Sequence, residues 1–134
     1  FPTRRSSDLI GSALALNKEE THEVKGRDSV LGLPKLVTVS STEVTTAIKP
    51  ILAQIIGTIK SVLEETPPEL ASDIVDKGIV LSGGTSQLRN LDKLMTQELG
   101  VPCHVVEDPL LSVVKGTGIA LENIDLYRRS ITSR

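Results

Sequence analysis

Aromatic residues are almost missing from this chain. Its 134 residues include one phenylalanine, Phe1, one tyrosine, Tyr127, and no tryptophan. A surface that stacks the bases of single-stranded nucleic acid needs several aromatic side chains, so this composition argues against that function. The 15 basic and 17 acidic residues give a net charge of -2, without the basic excess of a nucleic-acid-binding protein. We therefore expect no nucleic-acid partner and an aliphatic core.

Cysteine is nearly as scarce. Cys103 is the only one, so the chain can form no internal disulfide and no thiolate cluster for zinc. Cys103 lies in a short apolar run, so we expect it to be a small buried residue on a strand. His104, the next residue, is expected to point to the opposite, solvent-exposed side of that strand. No apolar stretch of the sequence approaches the length of roughly 20 residues that a membrane-spanning helix needs. Arg4 and Arg5 are not followed by the apolar segment of a secretory signal, so we do not expect one. These features fit an α/β unit in a reducing compartment.

The stretch from Gly78 to Ser86 carries the clearest functional signal. Its β-branched apolar run predicts a buried strand over Ile79–Ser82, and the two glycines that follow predict a turn of bare backbone. A helix capped by Thr85 or Ser86 is then expected at the carboxyl end of the strand, where open α/β sheets bind ligands. We place a nucleotide here. The stretch matches neither the Walker loop nor the dinucleotide fingerprint, so a plain tight turn is the alternative.

The chain before this stretch predicts a hairpin and a long helical pattern. Two β-rich runs separated by turn residues predict a hairpin over Glu20–Ser41. Ser40 and Glu43 have the spacing of a capping box and predict the start of a helix. Pro50 is expected to break or kink this helix, because it cannot donate a helical hydrogen bond. That break is a candidate subdomain boundary.

The remaining elements predict a parallel strand–helix unit. Thr66 is expected to cap a helix that ends at Gly78. After the glycine turn come a helix closed by Gly100, a strand over Val101–Val106 and a last helix capped by Asp108. Two strands joined through a helix favour the right-handed parallel arrangement.

Four motifs in this order resemble the MreB family of bacterial actin homologues, and they extend over most of the chain. The resemblance implies an α/β fold, the C-terminal part of an actin-like (ribonuclease H-like) ATPase domain. This part would contain a partial parallel sheet with its helices and a hairpin of the small outer subdomain. The motifs are Arg27–Lys35 leading into Thr38–Ser40, Thr66–Ala71, Gly78–Ser86, and Glu107–Leu110 with Lys115–Asn123.

The resemblance also divides the chain into three parts. Residues 1–9 do not match the family and are expected to be a non-native or disordered segment. Residues 10–48 resemble the remainder of the small outer subdomain. Residues 49–134 resemble the C-terminal half of the large inner subdomain, which includes the adenosine-binding turn.

In this family the strand–Gly-Gly–helix turn lies beside the adenosine of ATP. The resemblance therefore implies cofactor contacts at Gly83, Gly84, Thr85 and Ser86. The family usually has a third glycine and an alanine at the last two positions, so this turn departs from the family pattern there. The family's phosphate-binding hairpins, catalytic carboxylates and Mg²⁺ ligands would belong to parts of a parent protein that this chain lacks. No catalytic or metal residue is assigned, and a slow ATPase activity is expected only of the parent.

The function implied by the resemblance is that of a filament-forming, ATP-binding protein that organises cell-wall elongation and rod shape in bacteria. Its implied partners are further copies of itself, a RodZ-type membrane adaptor, the cell-wall elongation machinery, and the membrane through the missing N-terminal part. The implied location is the cytoplasm, at the inner face of the plasma membrane. Two alternatives stay open: another actin-superfamily protein such as a sugar kinase, and a small interaction module that binds no nucleotide.

Overall fold

A computed structural model describes residues 9–132. Residues 1–8, most of the segment expected to be non-native or disordered, lie outside the described residues. The elements are strands β1 (Thr21–Arg27) and β2 (Pro34–Ser40), helices α1 (Ser41–Glu65) and α2 (Pro68–Lys77), strand β3 (Ile79–Leu81), a short 3-10 turn (Gly84–Gln87), helix α3 (Leu91–Leu99), strand β4 (Cys103–Val105), and helices α4 (Ser112–Glu122) and α5 (Ile124–Thr132).

The hairpin and the start of α1 agree with the prediction. Strands β1 and β2 pair antiparallel, with Thr21 opposite Ser40 and Arg27 opposite Pro34. The Ser40 hydroxyl accepts a hydrogen bond from the Glu43 amide at 3.2 Å, and the Glu43 carboxylate accepts one from the Ser40 amide at 2.8 Å. This capping box satisfies two backbone donors and fixes where the hairpin passes into α1.

Helix α1 runs through Pro50 without interruption, so the predicted break is wrong. A proline inside a helix costs one backbone hydrogen bond. Beyond the proline, α1 buries Leu52 and Ile56, which are only 5% and 7% exposed. Burial of two large aliphatic side chains offsets the missing bond. The predicted division between residues 48 and 49 consequently has no helix end to mark it.

Among the described residues, α1 alone is long and apolar enough to cross a membrane by length and composition. A helix of this kind was not predicted from the sequence. The buried residues Val44, Leu52 and Ile56 lie along one stripe of α1, which is typical of a helix that packs one face on a protein core. Helices that pack on a protein core reach the same length and apolar composition, so these two properties alone do not assign a membrane span to α1.

Strands β3 and β4 pair in parallel, as predicted, with Ile79 opposite Cys103. His104 is exposed, as predicted, but Cys103 is only half-buried and Val80 on β3 is 54% exposed, because the described elements do not cover both faces of the two strands. Burial raises the pKa of the Cys103 thiol. Thr66, however, does not cap α2, because its hydroxyl donates to the Val62 carbonyl at 2.6 Å, back into α1.

The helix expected directly after the glycine turn begins later than predicted. The single 3-10 turn Gly84–Gln87 comes first, and α3 begins only after Asn90, whose φ of 60° is left-handed. Asparagine tolerates this backbone conformation better than most residues. Gly100 ends α3 as predicted, with φ of 71°.

The core is small and consists of aliphatic residues and one methionine. It forms where α1, α3 and the segment before β1 meet. Elsewhere many large apolar side chains are exposed, including Val30 at 89% and Val113 at 78%. The uncovered apolar surface is concentrated at the hairpin tip and along α4 and α5. The buried cluster comprises Ala13, Leu52, Ile56, Leu91 and Met95.

Candidate functional site

Two loops meet at the carboxyl ends of β3 and β4. The Leu81 carbonyl accepts a hydrogen bond from the Val106 amide at 3.0 Å, and the Pro109 carbonyl accepts one from the Gly83 amide at 2.8 Å. These bonds hold the glycine turn after β3 beside the 106–111 loop after β4. Open α/β sheets bind ligands at this edge, so the turn lies where a ligand site is expected.

The three glycines around β3 differ in what would disfavour a side chain at their positions. At Gly78 the φ is +80°, and an added Cβ would collide with the Pro102 carbonyl oxygen. At Gly83 the space is open, but a φ of +86° favours glycine. At Gly84 an added Cβ would meet only the end of the Leu110 side chain, at 3.1 Å, and no left-handed φ is present. The packing of this chain therefore does not require glycine at position 84, whereas a ligand against bare backbone would.

The structure brings the four predicted site residues together but does not present them equally. Gly83, Gly84 and Thr85 are exposed, whereas Ser86 is only 5% exposed. The Ser86 hydroxyl donates to the Gly83 carbonyl at 2.6 Å. This bond turns the Ser86 side chain inward, where it closes the 3-10 turn. The exposed surface of the turn is consequently the backbone from Gly83 to Thr85, with the Thr85 side chain.

The neighbouring loop adds an apolar side chain and an ion pair. Leu110 lies next to Gly84 and is 65% exposed. Asp108 does not cap the last helix as predicted: its φ is 51°, and α4 begins only at Ser112. Its carboxylate instead accepts a hydrogen bond from Lys115 Nζ at 2.7 Å. Bare backbone beside a leucine suits the flat face of a base or the edge of a ribose.

The residues that line the exposed face of the turn offer surface for contact. Gly83, Gly84 and Leu110 provide surface and carry no acid, base or nucleophile. Across residues 9–132, no three histidine, cysteine, aspartate or glutamate side chains come together as metal ligands would.

Sequence reasoning missed Arg89, which lies just beyond the turn. Its guanidinium donates to both carboxylate oxygens of Glu20, at 2.8 and 3.0 Å. It also donates to the Leu9 and Gly11 carbonyls, at 3.1 and 3.2 Å. The hydrogen bond from Arg89 holds the pKa of Glu20 below its ordinary value. No local pattern signals this contact, because its partners lie far upstream in the sequence.

Ser12 is the second residue that the sequence analysis did not identify. It is fully buried, and its hydroxyl donates to the Arg89 carbonyl at 3.3 Å and accepts from the Asn90 side-chain amide at 2.8 Å. The Ala13 amide donates to the same Arg89 carbonyl at 2.8 Å. The Arg89 backbone and the Asn90 side chain are thereby fixed to the segment before β1.

A separate groove of about 620 Å³ lies between α1, α3 and residues 13–15. Its lining includes the apolar side chains Leu52, Ile56 and Leu94 and the polar side chains Thr46 and Lys49. No residue of the glycine turn lines it. The groove is therefore distinct from the edge at which the turn lies.

Comparison with known proteins gives consistent matches. A family model described as "MreB/Mbl protein" matches residues 3–129. The chain is 46% identical over 125 residues to the cell shape-determining protein Mbl of Bacillus cereus, covering 91% of this chain and 38% of that protein. It is 45% identical over 118 residues to the cell shape-determining protein MreB of Escherichia coli K12, covering 88% of this chain and 34% of that protein.

Solved structures show the same similarity. The chain aligns with MreB5 of Spiroplasma citri bound to ADP, with a TM-score of 0.81 and 34% identity, covering 93% of this chain and 37% of that one. It aligns equally well with MreB5 bound to AMPPNP, at 35% identity and a TM-score of 0.81, covering 90% of this chain and 36% of that one. The predicted fold class is confirmed. The chain spans little more than a third of each of these relatives.

Proposed function

Because the chain belongs to the MreB/Mbl family, we propose that it provides one wall of an adenine-nucleotide site in an actin-like protein that determines bacterial cell shape. The observation that carries this proposal is Gly84, a glycine that its own surroundings do not require, beside the exposed Leu110. The relatives are named cell shape-determining proteins, and the solved neighbours hold ADP or AMPPNP. These names favour neither a sugar kinase nor a module without a nucleotide.

The proposed ligand is ATP, with its adenosine against the turn. The base or ribose lies on the backbone from Gly83 to Thr85, and Leu110 covers an apolar edge. Ser86 acts indirectly by holding the Gly83 carbonyl through its 2.6 Å hydrogen bond. Phosphate binding, Mg²⁺ and slow ATP hydrolysis belong to parts of the whole protein outside this chain. The division into an outer part, 10–48, and an inner part, 49–134, belongs to the same proposal.

The proposed protein assembles into filaments, and the hairpin tip is the surface we assign to self-association. The Asp28 carboxylate accepts hydrogen bonds from the Val30 and Leu31 amides at 2.8 and 3.0 Å. This turn holds Val30 and Leu31 with 89% and 72% exposure. A well-ordered apolar tip suits contact with another subunit. A RodZ-type adaptor, the cell-wall elongation machinery and the inner face of the plasma membrane are the other proposed partners.

Nucleotide binding by a chimera tests the proposal. Residues 10–125 replace the matching stretch of the Escherichia coli MreB, and AMPPNP affinity is measured for the chimera and for Gly84→Val. We expect the variant to bind at least about tenfold more weakly, or about 1.4 kcal/mol, because the new side chain occupies the ligand surface.

The matched control is Gly26→Val, the same substitution on β1 at a glycine with open space around it. Both variants should retain the circular dichroism spectrum of the chimera. Equal AMPPNP affinity for a well-folded Gly84→Val and Gly26→Val would remove the turn from the nucleotide site.

A further inference from the structure

Arg89 makes most of the hydrogen bonds that fix the chain where it leaves the glycine turn. The 3-10 turn ends with the Leu88 amide bonded to the Thr85 carbonyl at 3.1 Å, and Arg89 follows immediately. The Arg89 carbonyl accepts from the Ala13 amide at 2.8 Å, while its guanidinium reaches the Leu9 and Gly11 carbonyls. Both ends of Arg89 are thus bound to the segment before β1. The turn cannot shift relative to that segment without breaking these bonds.

The partner of Arg89 is bound in turn to the base of the hairpin. The Glu20 amide donates to the Ser41 hydroxyl at 3.0 Å, and the Glu20 carbonyl accepts from the Ser41 amide at 2.7 Å. Ser41 is the first residue of α1 and is 2% exposed. Glu20 itself immediately precedes β1. A continuous chain of hydrogen bonds therefore leads from the turn through Arg89 and Glu20 to the junction of hairpin and α1.

We propose that the Arg89–Glu20 pair couples the glycine turn to the base of the hairpin, and that Arg89 is a positioning residue for nucleotide binding. This inference rests on the proposed function. A bidentate guanidinium–carboxylate pair fixes orientation as well as distance, so it holds the turn in one geometry before the ligand arrives. A preorganised turn binds more tightly because less ordering remains to be done on binding. By reciprocity, a ligand on the turn stabilises the segment before β1.

Hydrogen exchange in the same chimera tests the coupling. With AMPPNP bound, we expect slower amide exchange in the peptide covering residues 10–20, which includes the Ala13 amide. Glu20→Gln keeps the size of the side chain and removes its charge. It should reduce this ligand-dependent protection, which the bonds of Arg89 to Gly11 and Ala13 retain in part, and weaken AMPPNP binding about two- to fivefold, the range of a partly exposed ion pair. Glu20→Asp, which keeps the charge, should retain part of both effects.

The control is Asp73→Asn, which breaks an exposed ion pair with Lys77 inside α2 and should leave protection and affinity unchanged. If AMPPNP protects residues 10–20 equally in the chimera and in Glu20→Gln, the coupling is wrong while the nucleotide proposal stands. If Gly84→Val binds AMPPNP as well as the chimera, the nucleotide proposal fails, and the coupling to the turn fails with it.

Discussion

The guanidinium of Arg89 contacts both carboxylate oxygens of Glu20 across 69 positions of sequence. One residue follows the glycine turn, and the other precedes the hairpin. The pair lies at the surface, with side chains 41% and 45% exposed, so its contribution to global stability is small. The pair instead holds the glycine turn next to the base of the hairpin, two regions that share no strand and no helix.

Acid should weaken the Arg89–Glu20 pair. The Arg89 hydrogen bond lowers the pKa of Glu20, so its stabilising effect is complete above the unfolded value, about 4.3, and is lost as pH falls through the lower folded value. Below about pH 4.3, the thermal midpoint of the chimera should therefore fall more steeply with decreasing pH than that of Glu20→Gln. Glu19→Gln is the control, and parallel pH profiles for all three proteins would contradict the expectation.

Gly78 should tolerate no side chain. Gly78→Ala forces a left-handed φ on alanine and drives its Cβ into the Pro102 carbonyl oxygen, which should destabilise the chimera by about 2 kcal/mol or more. Gly57→Ala lies inside α1 with open space around it and should stabilise by up to about 1 kcal/mol. Urea unfolding measures both. A neutral Gly78→Ala would mean that β3 and β4 are not packed as described.

Replacing Pro50 should stabilise α1. Because the helix is continuous on both sides, Pro50→Ala restores a backbone hydrogen bond to Thr46 without changing the fold. We expect stabilisation of about 1–3 kcal/mol, seen as slower amide exchange over residues 46–54. The control is Ala47→Gly, which should speed exchange over the same residues. Faster exchange in Pro50→Ala would show that the helix is bent or broken at the proline.

The hairpin tip should contribute to assembly. Leu31→Ser removes an apolar side chain that is 72% exposed while leaving the turn bonds to Asp28 in place. We expect the critical concentration for filament formation by the chimera, measured by pelleting, to rise at least about threefold. Ser29→Ala changes a neighbouring exposed residue and should have little effect. An unchanged critical concentration for Leu31→Ser would exclude the tip from the filament contact.

Structural features that depend on residues close together in the sequence could be predicted from it. The capping box of Ser40 and Glu43, the closing glycine Gly100 and the parallel pairing of β3 with β4 all depend on local chemistry or on short connections. The ordered motifs identified the family and the actin-like fold, both of which are confirmed.

The predictions that failed did so where a distant or competing contact decided the outcome. The helix continues through Pro50 because core packing of Leu52 and Ile56 outweighs one lost hydrogen bond. The Ser86 hydroxyl closes the turn on Gly83 instead of capping a longer helix. The Arg89–Glu20 pair had no sequence signal, since no periodicity or motif relates residues so far apart.

Photolabelling of the chimera with 8-azido-ATP, followed by mass spectrometry of its peptides, tests the central claim most directly. The azide lies on the adenine ring, so the label reports which residues surround the base. We predict labelling of the peptide that contains residues 83–88, reduced by excess AMPPNP. Competed labelling found only outside this peptide, for example along the groove between α1 and α3, would contradict the assignment of the glycine turn as the adenosine wall.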